Sequence, residues 1–223
     1  MPDATESTPS RDRLRAVLSC GLVFSLAGLA GCASGKATPL ASSLAALWPD
    51  TQAAEHRAAE LPYASLIARL GNAQGLLVMG TQAGDITLWP SAQGGTLELH
   101  DGGLQSFSGG DVALLGTAYA PQSPWHESSP ARFTLTRHWR DAEGFVQRGE
   151  AEGVMRCEAP GPVRLPLGER VLERCEVSLA WASGASSEAS WWRDPDSRRL
   201  WALEEQPWPD ALTLRWQVAR HWW

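Results

Sequence analysis

Three rhythms of apolar and polar residues succeed one another along this chain. Arg11, Arg13 and Arg15 precede an apolar run over 16–30, in which Ser19 and Ser25 are the only hydroxyl residues. Leu40, Leu44, Leu47 and Trp48 then fall at helical spacing. Thr38 and Pro39 supply an N-cap and a first-turn proline, and Pro49 ends that helix. Residues 51–60 are alanine-rich and suit a further helical turn or two, or a surface linker. From Leu61 onward, short apolar runs alternate with glycine, proline and aspartate.

These short runs predict strands at 66–70, 76–79 and 86–89, separated by Gly71-Asn72 and Gly84-Asp85. Residues 96–100 alternate with Leu97 and Leu99 inward, and Asp101-Gly102 turns them into a strand at 104–107. A further strand is expected at 112–115, and the three prolines of 120–130 mark a loop. Phe133, Leu135, Arg137 and Trp139 share one face of a strand, as do Cys175, Val177, Leu179 and Trp181. Strands at 189–193 and 200–203 flank the Asp194-Pro195-Asp196-Ser197 turn. Leu212, Leu214, Trp216, Val218 and Trp222 alternate toward the C-terminus. The low-complexity stretch 182–190 reads as a flexible hairpin tip. The fold class is therefore all-β: an antiparallel β-sandwich or barrel-like domain over 61–223, preceded by a short N-terminal helical segment.

The first rhythm has a different meaning. A charged start, a short apolar run and small residues before a cleavage point form an export signal. The run is shorter than the roughly 20 residues a membrane-spanning helix needs. Leu29-Ala30-Gly31-Cys32 resembles a bacterial lipobox, whose cysteine is lipidated and becomes the first residue of the mature protein. Residues 1–31 are then a lipoprotein signal peptide and 32–60 a lipidated tether with a short helical segment. Ala33 replaces the Asp that tends to retain such proteins in the inner membrane of enteric-type bacteria, so an outer-membrane, periplasm-facing location is expected. Cys20 lies inside the apolar run and reads as a small apolar residue.

Charge narrows the partners. The 223 residues carry a formal charge of −6, and Lys36 is the only lysine. That composition argues against nucleic-acid binding. Cys157 and Cys175 form an even pair in an exported chain and read as a disulfide. A metal site would want more His or Cys nearby, and none is close in sequence, so no metal or other cofactor is expected.

Catalytic motifs are missing from the sequence. There is no Gly-x-Ser-x-Gly elbow, P-loop or dinucleotide fingerprint, and the histidines are not at zinc-ligand spacing. Asp141 and Glu143 form an acidic pair on a turn, a position where carboxylates are usually only solvated. Tryptophan is the unusual abundance, at 12 residues. Indoles stack on sugar faces and carry a polar handle. Trp181 and Trp216 sit on clean apolar faces and are expected in the core. The glycan-stacking candidates are Trp191 or Trp192, which are adjacent and face opposite ways, with Trp208, Trp222 and Trp223.

The order of these segments resembles the YjbF/GfcB-type lipoproteins of group 4 capsule and exopolysaccharide operons. Leu61-Pro62-Tyr63-Ala64-Ser65 followed by Arg69 is similar to that family's opening strand. The 76–80 segment before Trp89, the Gly102-Gly103-Leu104 hairpin, the 137–141 segment and the late hairpin of 188–203 follow in the family's order. Three details depart from it. Arg193 stands where an apolar residue is expected, the Asp-Pro-Asp-Ser turn has no glycine, and no basic residue follows Gly102-Gly103. The resemblance implies an outer-membrane lipoprotein acting beside exopolysaccharide export or assembly proteins, with no catalytic residues to carry across. The expectation is a non-enzymatic accessory in exopolysaccharide or capsule production or export, acting by glycan or partner-protein binding. The alternatives are a lipid or lipoprotein carrier with an apolar barrel cavity and a periplasmic polysaccharide-modifying enzyme.

Overall fold

The computed structural model describes residues 51–223. The apolar run, Cys32 and the helix expected over 40–48 lie outside the described residues. No described helix is long and apolar enough to cross a membrane.

A helix, α1, spans Thr51–Glu60. Fourteen strands follow in one hydrogen-bonded sheet system. They are β1 (Ser65–Leu70), β2 (Ala73–Val78), β3 (Thr81–Ala83), β4 (Ile86–Pro90), β5 (Thr96–His100), β6 (Gly103–Ser108) and β7 (Ala113–Ala120). After a 3-10 turn at Pro124–His126 come β8 (Ala131–Arg140), β9 (Val146–Cys157), β10 (Gly161–Leu165), β11 (Gly168–Trp181), β12 (Ser186–Arg193), β13 (Leu200–Glu205) and β14 (Leu214–Arg220). The order across the sheet is β2-β1-β14-β13-β12-β11-β9-β8-β7-β6-β5-β4-β3, with β10 paired to β11 beside that path. Every ladder is antiparallel, as the all-β reading requires.

The structure moves several boundaries. Ala54 and Ala58, one turn apart on α1, are fully buried, and the helix packs on β1, β2 and β14. Residues 51–60 therefore take the helical alternative over the linker, and pack on the β strands. The expected flexible tip at 182–190 shrinks to 182–185, because Ser186–Ser190 pair with β11. Leu212 is exposed and precedes β14. The strand expected at 112–115 runs on to Ala120 as β7. A register shift between Leu114 and Gly116 breaks its alternation and turns Thr117 inward.

β3, β9 and β10 were not expected. The 12 residues of β9 mix Gln147, Arg148, Glu150, Glu152 and Arg156 with few apolar positions and two glycines, Gly149 and Gly153, a residue type that weakens a strand pattern. Both glycines are crossing points for aromatic rings. A Cβ at residue 153 would lie 2.3 Å from Phe133 Cζ, and one at residue 149 would lie 3.0 Å from Trp181 Cζ3. Glycine here gives a neighbouring ring room to lie on the strand.

The core is dominated by indoles. Trp89, Trp125, Trp191 and Trp216 are among its largest fully buried side chains. Trp181 is buried too, and its Nε1 donates to Ser187 Oγ at 2.9 Å. Trp181 and Trp216 thus occupy the core positions their alternation predicts. Cys157 and Cys175 stand opposite each other in the β9–β11 ladder and are joined by the expected disulfide.

Candidate functional site

Two buried arginines brace the β domain. Arg137, on the inward face of β8, pairs with the buried carboxylate of Glu205 at the end of β13. Its Nη1 donates to Pro207 O at 2.7 Å and its Nη2 to the Tyr119 hydroxyl at 3.3 Å. Burial opposes charge on Arg137 most strongly, but the Glu205 carboxylate and the Tyr119 oxygen, by charge and by hydrogen bonding, together outweigh it and raise its pKa. Burial also pushes the Tyr119 phenol well above its ordinary pKa, with Arg137 partly opposing, so the phenol stays neutral.

Arg193, the departure from the family pattern, is the second. It lies where β12 slips register against β13, and it is buried. Its Nε donates to Glu173 Oε2 at 2.7 Å, and its Nη1 donates to the carbonyls of Trp125 and of Glu127, the latter at 2.8 Å. Burial pulls its pKa down while Glu173 pushes it back. The guanidinium therefore ties the 3-10 turn Pro124–His126 to β12.

The turns carry the rest. Asp101 and Gly102 take φ of 50° and 79°, the left-handed pair that a two-residue hairpin needs. Asp101 N donates to Asp85 O at 2.7 Å, and His126 Nε2 contacts Asp101 Oδ2 at 2.7 Å. In the β12–β13 turn the missing glycine is replaced by Arg198, with φ 61°. Partial burial would raise the pKa of Asp194. Hydrogen bonds from Ser197 N at 2.8 Å, Ser197 Oγ at 2.9 Å and Asp196 N at 3.1 Å outweigh that and keep it low.

Past β14, the last residues form an aromatic ladder. Trp222 meets buried Trp89 edge-on at 4.8 Å and Trp223 at 4.4 Å. Trp223 in turn meets Trp201 at 5.2 Å. The Arg170 guanidinium lies 3.9 Å above Trp201, and that of Arg199 lies 5.4 Å above Trp223. Beside this ladder is an open cleft of about 130 Å³, lined by Trp222, Trp223, Asp85, Asp101, Gln82 and Arg199 together with Gly102 and Leu200. Indole faces, carboxylate acceptors and guanidinium or amide donors converge there. A cleft this small cannot enclose a ring, so a ligand would lie across it.

The five glycan-stacking candidates divide. Trp191 is 1% exposed and packs edge-on against Trp125 at 5.7 Å, so it is core. Trp208 is 9% exposed, stacked on Trp139 at 5.4 Å and on Phe107 at 6.0 Å. The rigid turn between Pro207 and Pro209 points its ring inward. Neither can present a face to a sugar. Trp192 faces away from Trp191, half-buried between Arg174 of β11 and Ala202 of β13. Trp222 is half-buried, and Trp223 is 37% exposed. Asp85, Gln82 and Arg199 were not anticipated; Gly84-Asp85 and Asp101-Gly102 were readable only as turns. The acidic pair of 141 and 143 sits on the β8–β9 hairpin, where Asp141 accepts from Phe145 N and Gln147 Nε2, each at 2.8 Å.

No protein-family model matches the sequence, and no curated protein matches it. Solved structures do. The hypothetical lipoprotein YmcC of Escherichia coli K12 superposes with a TM-score of 0.69 over 84% of this chain and 98% of its own, at 13% identity. This is a YmcC-like fold. An exported protein with YmcC-like fold from Bacteroides fragilis NCTC 9343 also matches, at 12% identity over 70% of this chain and 94% of its own, with a TM-score of 0.35. At such low identity the likeness is one of fold.

Proposed function

We propose that this chain is a lipid-anchored outer-membrane protein facing the periplasm, and that it binds glycan as a non-enzymatic accessory of exopolysaccharide or capsule production or export. The signal segment and lipobox at Cys32 support the anchor. The resemblance to YjbF/GfcB-type lipoproteins supports the setting, and a fold shared with a protein described as a lipoprotein is consistent with it. The observation that carries the binding reading is the cleft in which Trp222 and Trp223 stand beside Asp85, Asp101 and Arg199. Sugar hydroxyls both donate and accept, and their apolar C–H faces stack on indole.

The test is a tryptophan-fluorescence titration with exopolysaccharide purified from the strain that carries the chain. A saturable shift that Trp223→Ala removes is the expected result. A wild-type chain that shows no shift would overturn direct glycan binding. The anchor is checked separately by metabolic labelling with a palmitate analogue. Label on the wild type and none on Cys32→Ser is expected, and a labelled Cys32→Ser would refute the anchor.

A further inference from the structure

The cleft beside Trp222 and Trp223 has room for less than a ring. Its volume of about 130 Å³ falls well below the roughly 300 Å³ at which sites begin to enclose a small molecule. A sugar lying across it therefore inserts one substituent, and the chemistry of the wall decides which.

Opposite charges stand unpaired in that wall. Asp85 and Arg199 both line the cleft, and both residues are exposed, so a ligand can reach them. Among the described residues, neither side chain takes part in an ion pair with the other or with any third group. The Arg199 guanidinium lies instead over the Trp223 ring at 5.4 Å. The other polar lining groups are already engaged. Asp101 Oδ2 meets His126 Nε2 at 2.7 Å, and Gln82 Nε2 donates to Gly84 O at 3.2 Å. This leaves Asp85, which when ionised only accepts, and Arg199, which only donates, beside the two indoles.

We infer that this cleft selects an N-acetylated amino sugar, seating its acetamido group between Asp85 and Arg199 against the indoles. A carboxylate could pair with Arg199 but would face Asp85 and Asp101. An ammonium could pair with Asp85 but would face Arg199. Like charges brought together in a site work against the wrong ligand. A hydroxyl both donates and accepts, but through one oxygen, and it brings no apolar surface. The acetamido group is neutral and matches all three features of the wall. Its N–H donates to the Asp85 carboxylate, its carbonyl accepts from the Arg199 guanidinium, and its methyl covers indole. The inference rests on the glycan reading of this cleft and names the sugar class it takes.

The test titrates the full chain with chitotetraose, its de-acetylated glucosamine counterpart and cellotetraose, followed by tryptophan fluorescence at mildly acidic pH. The three share one β-1,4 backbone and differ at one substituent, which is acetamido, ammonium or hydroxyl. Chitotetraose is expected to bind saturably and at least about tenfold more tightly than either analogue. Asp85→Ala and Arg199→Ala should each weaken chitotetraose about tenfold. Arg199→Ala should at the same time tighten the glucosamine tetramer, a reversal that general damage to the fold would not produce. The inference is overturned if chitotetraose fails to bind, binds no better than cellotetraose, or binds undiminished to both variants. The comparison among the three sugars on the wild type decides the matter even where a variant fails to fold. The purified exopolysaccharide, titrated beside them, separates the two readings. If it binds saturably while chitotetraose does not, the sugar class is refuted and the proposed function stands; if neither binds, both fall.

Discussion

Trp125 and Trp191 meet edge to face at 5.7 Å inside the protein, and Trp222 and Trp223 meet edge to face at 4.4 Å at its margin. The pair geometry is the same and the surroundings are opposite. Around the inner pair, the neighbours are Tyr119, Phe133 and the Arg137–Glu205 ion pair. Around the outer pair they are Asp85, Asp101, Gln82 and Arg199, all open to solvent on one side. The inner indoles hold strands and a turn in place. The outer ones lie at the margin of that frame, where Trp223 is 37% exposed. Indole content alone separates the two groups poorly; position relative to the buried charges separates them well.

The sharpest way to break the inner region is to strip Arg137 of its partner. Glu205→Gln leaves a buried guanidinium uncompensated and should lower stability by about 3–5 kcal/mol in urea unfolding. Replacing both partners with apolar residues of similar size should recover most of that loss. Removing the disulfide with Cys157→Ser and Cys175→Ser reopens a loop of sequence separation 18 and should cost about 3 kcal/mol by the same measurement. Gly103→Ala forces a methyl into the Trp125 ring and should cost about 1–3 kcal/mol, with a changed near-ultraviolet dichroism from the displaced indole.

At the margin the expectation reverses. Trp223→Ala removes ring contacts with Trp222 and Trp201 and should cost about 1–2 kcal/mol, less than Glu205→Gln, while abolishing the polysaccharide-induced fluorescence shift. A large destabilisation there would erase the distinction between the two regions. The smallest effect is a pH dependence at the β12–β13 turn. Asp194 has a folded pKa below its unfolded value of about 3.9. Its contribution is thus fully present above that value and is lost as pH falls through the folded pKa. Asp194→Asn should show a shallower fall of the urea midpoint on acidification than the wild type.

Much of the inner region was readable from the sequence. The alternation of Phe133, Leu135, Arg137 and Trp139 placed Arg137 on an inward face, and the even cysteine pair identified its own bond. Periodicity failed where something other than alternation decides burial. Gly149 and Gly153 look like breakers until the rings that cross them are seen. Arg193 looked like a loop-level departure, although it is the buried clamp on the 3-10 turn. Trp208 is buried although it stood among the exposed candidates, and the choice between Trp191 and Trp192 stayed open, because alternation on a strand says which residues share a face and not which face is covered. The outer cleft was legible only in part. Trp222 and Trp223 stood out by abundance, whereas Asp85 and Arg199 reach them through long-range pairing that no local pattern reveals.

The Cys157–Cys175 bond closes the ladder at the point where the chain leaves β9 and returns as β11. Everything between the two cysteines, including the β10 ribbon and its Pro166-Leu167 tip, is a closed excursion whose ends are fixed to each other. Length changes at that tip cannot slide β9 against β11. The ribbon is thus the place where this architecture can gain or lose residues, diversifying one edge while the register of the main sheet is inherited intact.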